Sequence, residues 1–200
     1  MKSAIYLLLL IICLSCSSNP EETNKEKPPN ILLIVADDLG YTDLGAFGGD
    51  IETPNLDRLA QNGLTFSRFH TAPFCAVTRA MLLSGNDNHI AGMGSQDLRT
   101  GVFGYEGQLT ERIIPLPTLL KEADYHTYMA GKWHLGTWNE ANPINKGFDR
   151  SFALLNGAGN HYTDVGFNPR RPVSPYTEDG EETKWPDGAY STDFYTDRLI

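Results

Sequence analysis

Cys75 and Arg79 stand four residues apart in the stretch HTAPFCAVTRAMLLSG, residues 70–85, where an irregular segment containing Pro73 gives way to a predicted short helix. A helix start is a natural seat for an anion, because its first backbone N–H groups lack intrahelical partners and its dipole is positive there. Cys75 falls at that mouth and Arg79 one turn on. On spacing alone a plainer reading stays open, a cysteine packed as a small hydrophobe beside a surface arginine. Asp37 and Asp38 directly follow an apolar run. Two adjacent carboxylates beyond the carboxyl end of a strand suit a hard cation, and a turn in which one aspartate caps backbone N–H groups is the alternative. Lys132 and His134 are two apart, which in extended backbone puts both side chains on one face. Together they could hold an anion and exchange a proton; a surface lysine and a core-edge histidine beside Trp133 is the other reading.

The elements that must position these groups follow from periodicity. Residues 30–36 are continuously apolar with β-branched Ile31, Ile34 and Val35, the pattern of a strand buried on both faces of a parallel sheet. Residues 53–62 read as a helix with Thr53 at the N-cap, Pro54 at the first position, Leu56, Leu59 and Ala60 on one face and Gly63 beyond the end. Alternation over 64–69 predicts a strand, and 77–84 a short helix stopped by Gly85. Residues 86–107 predict an extended loop near the pocket, with His89 an exposed loop histidine. A helix is expected over 117–122, a second parallel strand over 125–130, and an ordered segment over 147–159 held by Phe148, Phe152, Leu154 and Leu155. Residues 168–188 predict a surface excursion over the pocket rim, and a helix begins at Ser191 with Phe194, Tyr195 and Leu199 on one face.

Composition sets bounds. With 200 residues and 40% hydrophobic content the chain can bury one substantial core. Its 16 Lys and Arg against 25 Asp and Glu give a formal charge of −9, which argues against a nucleic-acid or anionic-membrane surface but not against cations gathered in one pocket. Residues 1–16 read as an export signal: Lys2, the apolar run 5–12, then Leu14-Ser15-Cys16. That run is too short to span a bilayer as a helix. Polar residues 17–29 follow as a tether. Of Cys13, Cys16 and Cys75, only Cys75 falls in the folded region, so chemistry is a question to ask of it before packing.

The run C-A-V-T-R-A-M-L-L-S-G resembles the signature of the type I sulfatases. Three other family marks occur in order: Asn30-Ile31-Leu32-Leu33-Ile34-Val35-Ala36-Asp37-Asp38, Thr53-Pro54-Asn55-Leu56-Asp57 and Gly131-Lys132-Trp133-His134-Leu135-Gly136. Through Gly104-Tyr105-Glu106-Gly107 and Ala130-Gly131-Lys132-Trp133-His134 the likeness within the family is to bacterial arylsulfatases, and it covers about residues 29–200. The resemblance implies an α/β fold, a mostly parallel sheet flanked by helices of the alkaline-phosphatase-like (sulfatase) type. Residues 30–200 would be the N-terminal part of its catalytic domain, because the remaining metal ligands, a second lysine and a second histidine of such enzymes lie further on. Alone, this part is expected to have no turnover. The leader resembles a bacterial lipoprotein signal, which implies export to the periplasm or cell surface and a lipid on Cys16 as the sole tie to a membrane.

In the family the cysteine matching Cys75 is oxidised by a formylglycine-generating or sulfatase-maturing enzyme to formylglycine. This aldehyde hydrates to a diol, one oxygen of which attacks sulfur. The resemblance makes Asp37, Asp38 and modified Cys75 ligands of a divalent cation, calcium by family habit. Arg79 would hold the diol, Lys132 would bind a sulfate oxygen, and His134 would accept the diol proton as the covalent sulfate breaks down. The implied substrate is a sulfate ester, an aryl sulfate or a sulfated glycan. Val77 departs from the modification motif, which carries Pro or less often Ala two residues after the cysteine. Two other readings therefore stand beside sulfatase: a phosphate or phosphonate ester hydrolase on the same fold, and a non-catalytic lipoprotein that binds sulfated ligands.

Overall fold

A computed structural model describes residues 27–200 apart from 97 and 138, so the predicted export signal, Cys16 and most of the tether lie outside the described residues. The chain divides after Ala36 into two units. In the first, residues 30–36 form no strand, and Leu32 and Ile34 are 75% and 69% exposed. This corrects the expected buried strand. A strand exists by pairing, and among the described residues this run has no ladder partner.

The second unit, Asp37–Ile200, begins with two 3-10 turns, Tyr41–Asp43 and Gly45–Phe47. Helix α1, Pro54–Asn62, follows as expected, although Thr53 does not cap it in the usual way. Its hydroxyl accepts from the Gly45 N–H at 2.9 Å and donates to Asp57 at 2.8 Å, tying the turn before the helix to its first coil. Residues 64–69 are exposed turn and coil rather than a strand, again for want of a partner.

Helix α2, Cys75–Ser84, starts two residues earlier than the sequence predicts and ends at Gly85, whose φ of 64° suits glycine and whose N–H donates to Met81 O at 2.8 Å. Helix α3, Leu116–Glu122, leads into strand β1, Tyr128–Lys132. Strand β2, Arg150–Leu154, lies parallel to β1 in the register Tyr128↔Arg150 to Lys132↔Leu154. A small separate hairpin follows, β3, Val165–Asn168, and β4, Arg171–Val173. Strands β5, Tyr176–Glu178, and β6, Glu181–Thr183, return to the main sheet, and helix α4, Ser191–Asp197, closes the described chain.

The main sheet has the order β1-β2-β5-β6, with β2–β5 and β5–β6 antiparallel. The α/β sheet with flanking helices is present, and within the described residues it is mixed rather than mostly parallel. Residues 168–188 are accordingly more than a rim excursion. Tyr176, 1% exposed, draws β5 into the sheet beside β2.

Strand β2 separates two cores. Ala153, with Leu155 just past the strand, packs into a cluster with Ala76, Ala80, Trp133 and Leu135, while Phe152 and Leu154 pack with Tyr176 and Trp185 on the opposite side. Phe194 and Tyr195 of α4 cover the second cluster, Phe194 edge-on to Phe152 with centroids 4.8 Å apart. Each fully buried large apolar side chain contributes roughly 1.5–3 kcal/mol, so Phe152 anchors its face. The first cluster has different logic. Ala76 and Ala80 sit one turn apart on α2 with no exposure, and their small side chains are buried in the cluster that holds Trp133, Leu135 and Ala153.

The network around Asp149 holds β1 and β2 in register. Its carboxylate accepts from Lys121 Nζ at 2.7 Å and from the Thr127 N–H at 3.0 Å, with His126 Nδ1 at 3.3 Å. Its own N–H donates to Thr127 O at 2.8 Å. No helix among the described residues is long and apolar enough to cross a membrane.

Candidate active site

Alanines at positions 76 and 80 face the core, which leaves positions 75 and 79, also one turn apart, on the neighbouring stripe of α2. Cys75 is therefore the first residue of the helix, and its thiol, the free cysteine of the described chain, lies 3.3 Å from Nδ1 of His134 and 3.5 Å from Oε1 of Gln96. Arg79 reaches the end of β1, where one terminal nitrogen donates to Lys132 O at 2.6 Å. Its other terminal nitrogen donates to Asp37 Oδ1 at 3.2 Å, while Lys132 Nζ donates to Asp37 Oδ2 at 2.6 Å. One carboxylate thus bridges two cations, and the trio keeps one net positive charge beside the positive end of α2. Burial by itself would push the Asp37 carboxyl up, but the hydrogen bonds and charges of Lys132 and then Arg79 outweigh it and hold that carboxyl below its ordinary value.

Strand β1 ends at Lys132. Trp133 extends the pairing by donating to Leu154 O at 2.8 Å, and its indole, 1% exposed, donates to Ala141 O at 2.7 Å. This buried anchor fixes the residues on either side of it. His134 then takes φ 58°, so the extended geometry that would place it on the same face as Lys132 does not apply. Lys132 goes to Asp37 and His134 goes to Cys75. Two contacts at one strand end replace the single shared face expected from the spacing.

His134 is 4% exposed, and the backbone of Gly157 lies close to its ring. A Cβ on Gly157 would stand 2.4 Å from the ring, so only glycine fits. Gln96 and Gly157 are site residues that sequence reasoning missed. The Asn156-Gly157 pair, a turn signal directly after β2, was the available clue to the second.

Asp37 and Asp38 have the oxygen chemistry a hard cation needs. Among the described residues, however, no three His, Cys, Asp or Glu side chains converge to hold a metal ion, and the expected set Asp37, Asp38 and Cys75 does not come together as a shell. The reason is local: both Asp37 oxygens are taken by Lys132 and Arg79, Cys75 turns to His134 and Gln96, and Asp38 leaves the extended backbone at φ 56°.

Cys75 and His134 open into a cleft of about 570 Å³. Its wall comes from the loop over 86–107, as expected of that segment, through Gln96 and Arg99, from the turn after β2, and from Phe167, Arg170 and Arg171 of the hairpin. Such a volume suits a small organic molecule rather than a lone inorganic ion.

The family model described as "Sulfatase" matches residues 29–200. An arylsulfatase of Klebsiella aerogenes is 41% identical over 182 residues, covering 88% of this chain and 39% of that protein. An uncharacterized sulfatase of Schizosaccharomyces pombe is 44% identical over 191 residues, covering 88% of this chain and 34% of the relative. Both figures mean that the chain spans less than half the length of these relatives. The crystal structure of Ps i-CgsB is similar with a TM-score of 0.70 at 34% identity, over 84% of this chain and 39% of that one, and the same protein has been solved in complex with k-i-k-neocarrahexaose.

Proposed function

The chain belongs to the sulfatase family, and from that premise we propose that the complete protein hydrolyses sulfate esters to an alcohol and inorganic sulfate at the site built around Cys75. The observation that carries this reading is the 3.3 Å approach of His134 to Cys75 at the mouth of α2, with Arg79 one turn further along the same stripe and Lys132 joined to it through Asp37.

A sulfate ester resists attack because its oxygens repel an incoming nucleophile, so the site must lay positive charge on those oxygens. Formylglycine made from Cys75 would supply the nucleophilic oxygen, and a divalent cation, calcium by family resemblance, would add positive charge with Asp37, Asp38 and the group at position 75 as its candidate ligands, which requires Asp37 to give up its bonds to Lys132 and Arg79. Lys132 binds a sulfate oxygen through Nζ. Arg79 orients the group at position 75 from one turn away, and its Nε, buried and without a partner among the described residues, has a donor to give. His134 accepts a proton from the group at position 75 through the nitrogen that now faces the thiol. Its neighbour Gly157 lets the ring stay there.

The substrate is a sulfated glycan, in keeping with the neocarrahexaose complex of Ps i-CgsB, and an aryl sulfate is a convenient assay compound. A sulfatase-maturing enzyme is the required partner. Export with a lipid on Cys16 would put the protein in the periplasm or on the cell surface.

The test is mass spectrometry of the tryptic peptide spanning 69–79 from the complete protein, with turnover of an aryl sulfate compared against the matching phosphate. The aldehyde or its hydrate at Cys75 together with faster sulfate turnover is the expected result. A pure thiol would move the reading to a binding lipoprotein, and faster phosphate turnover to a phosphate or phosphonate hydrolase.

A further inference from the structure

Lys132, the cation proposed for the reacting sulfate, and Arg79 are bound to Asp37 and do not line the 570 Å³ cleft; the cleft has arginines of its own, Arg99, Arg170 and Arg171. In a chain of net charge −9 that placement calls for a ligand. Arg79, Arg112, Arg150 and Arg198 each pair with a carboxylate. Among the described residues, Arg170 and Arg171 have no such partner, and both are exposed.

The hairpin that carries them is built to present them. Asn168 pairs with Arg171 across the turn, and the Arg170 N–H donates to Asn168 Oδ1 at 2.9 Å, which fixes the backbone at its tip. Gly166 lets the strands close, since a Cβ there would stand 2.4 Å from Arg171 O. Phe167, 69% exposed, adds an apolar ring to the same wall. An exposed aromatic beside two arginines suits an anionic sugar, whose ring can lie on the phenyl face while guanidinium forks take the charged group.

We propose that Arg170 and Arg171, on the β3–β4 hairpin at the rim of the Cys75 cleft, bind a second anionic group of an oligosaccharide sulfate substrate. This rests on the sulfatase reading, and it adds that the natural substrate carries at least two anionic groups, one at the reaction centre and one at the hairpin. The second group is a sulfate or a carboxylate, both of which match the arginine fork.

The experiment is calorimetric binding to the complete protein with Cys75→Ala, so that no turnover is needed. Three oligosaccharides of one length are compared, carrying one sulfate, two sulfates, or one sulfate and one carboxylate. The doubly charged ligands are expected to bind roughly tenfold more tightly than the singly charged one, an advantage that Arg170→Ala with Arg171→Ala removes. Whichever doubly charged ligand has the larger advantage identifies the second group. Equal affinity for all three, or an advantage that survives both substitutions, overturns the proposal. The corresponding single variants guard against a misfolded double variant, and each is expected to lose part of the advantage. Failure of the parent protein to hydrolyse any sulfate ester, with the binding advantage intact, would sink the sulfatase reading and leave the hairpin site standing.

Discussion

Gly157 lies so close to His134 that the smallest side chain would strike the imidazole, at 2.4 Å from Cε1 and 2.6 Å from Nε2. The ring is thereby confined by that backbone and by the Cys75 sulfur, 3.3 Å from its Nδ1.

Gly157→Ala should therefore displace the ring. Because a misplacement near 1 Å can cost a large part of the rate, turnover of an aryl sulfate by the complete protein is expected to fall roughly 10- to 100-fold. Overpacking adds about 1–3 kcal/mol of destabilisation. Kinetics and thermal melting on one preparation check both, and normal turnover would show that the ring position does not matter.

Lys132→Ala removes the cation proposed for the sulfate oxygen. A loss of roughly 100- to 1000-fold in kcat is the expected scale for a group that stabilises developing charge. Near-normal kinetics would remove Lys132 from the mechanism and leave it a structural partner of Asp37.

Val77→Pro restores the residue usual in the modification motif. The first intrahelical bond of α2 runs from the Thr78 N–H to Phe74 O at 3.0 Å, so the N–H of Val77 has no acceptor a turn earlier to lose. The Val77 side chain is buried, so stability should fall by roughly 0.5–3 kcal/mol through lost packing, while the fraction of Cys75 converted, read from the peptide mass, should rise. An unchanged fraction would mean that Val77 is fully accepted by the maturing enzyme.

Asp149 should govern acid stability. Lys121, the Thr127 N–H and His126 lower its pKa from 3.8 to about 2. A carboxyl depressed on folding stabilises the protein fully above its ordinary value and loses that contribution as pH falls through the folded value. Asp149→Asn should lower the thermal midpoint at pH 7, and the gap to the parent protein should close between about pH 4 and pH 2. A gap that stays constant over that interval would count against the network.

How much of this could be read in the sequence differs from residue to residue. Cys75 and Arg79 were legible because a helical turn is a local rule, and α2 obeys it. Lys132 and His134 were found for their types, but the reason offered for their pairing failed, since the left-handed φ of His134 depends on Trp133 being anchored in the core. The runs over 30–36 and 64–69 have strand composition and no strand, because pairing is a property of two segments and composition of only one. Gln96 and Gly157 reach the site by long-range packing, which leaves almost no local trace. The hairpin arginines fell within a segment expected over the pocket rim, yet nothing in their spacing marked them as facing the cleft.

The alanines under α2 and the hairpin over the cleft place opposite constraints on inheritance. Enlarging Ala76, Ala80 or Ala153, none of which has any exposed surface, would shift the helix and take Cys75 and Arg79 with it, so drift there is penalised at once. The β3–β4 hairpin forms its own two-stranded sheet outside the main ladder, and its residues are mostly exposed. Substitutions and changes of length in that hairpin can accumulate without disturbing the reaction centre. The hairpin can thus alter what the cleft accepts while the Cys75–His134 contact stays as it is.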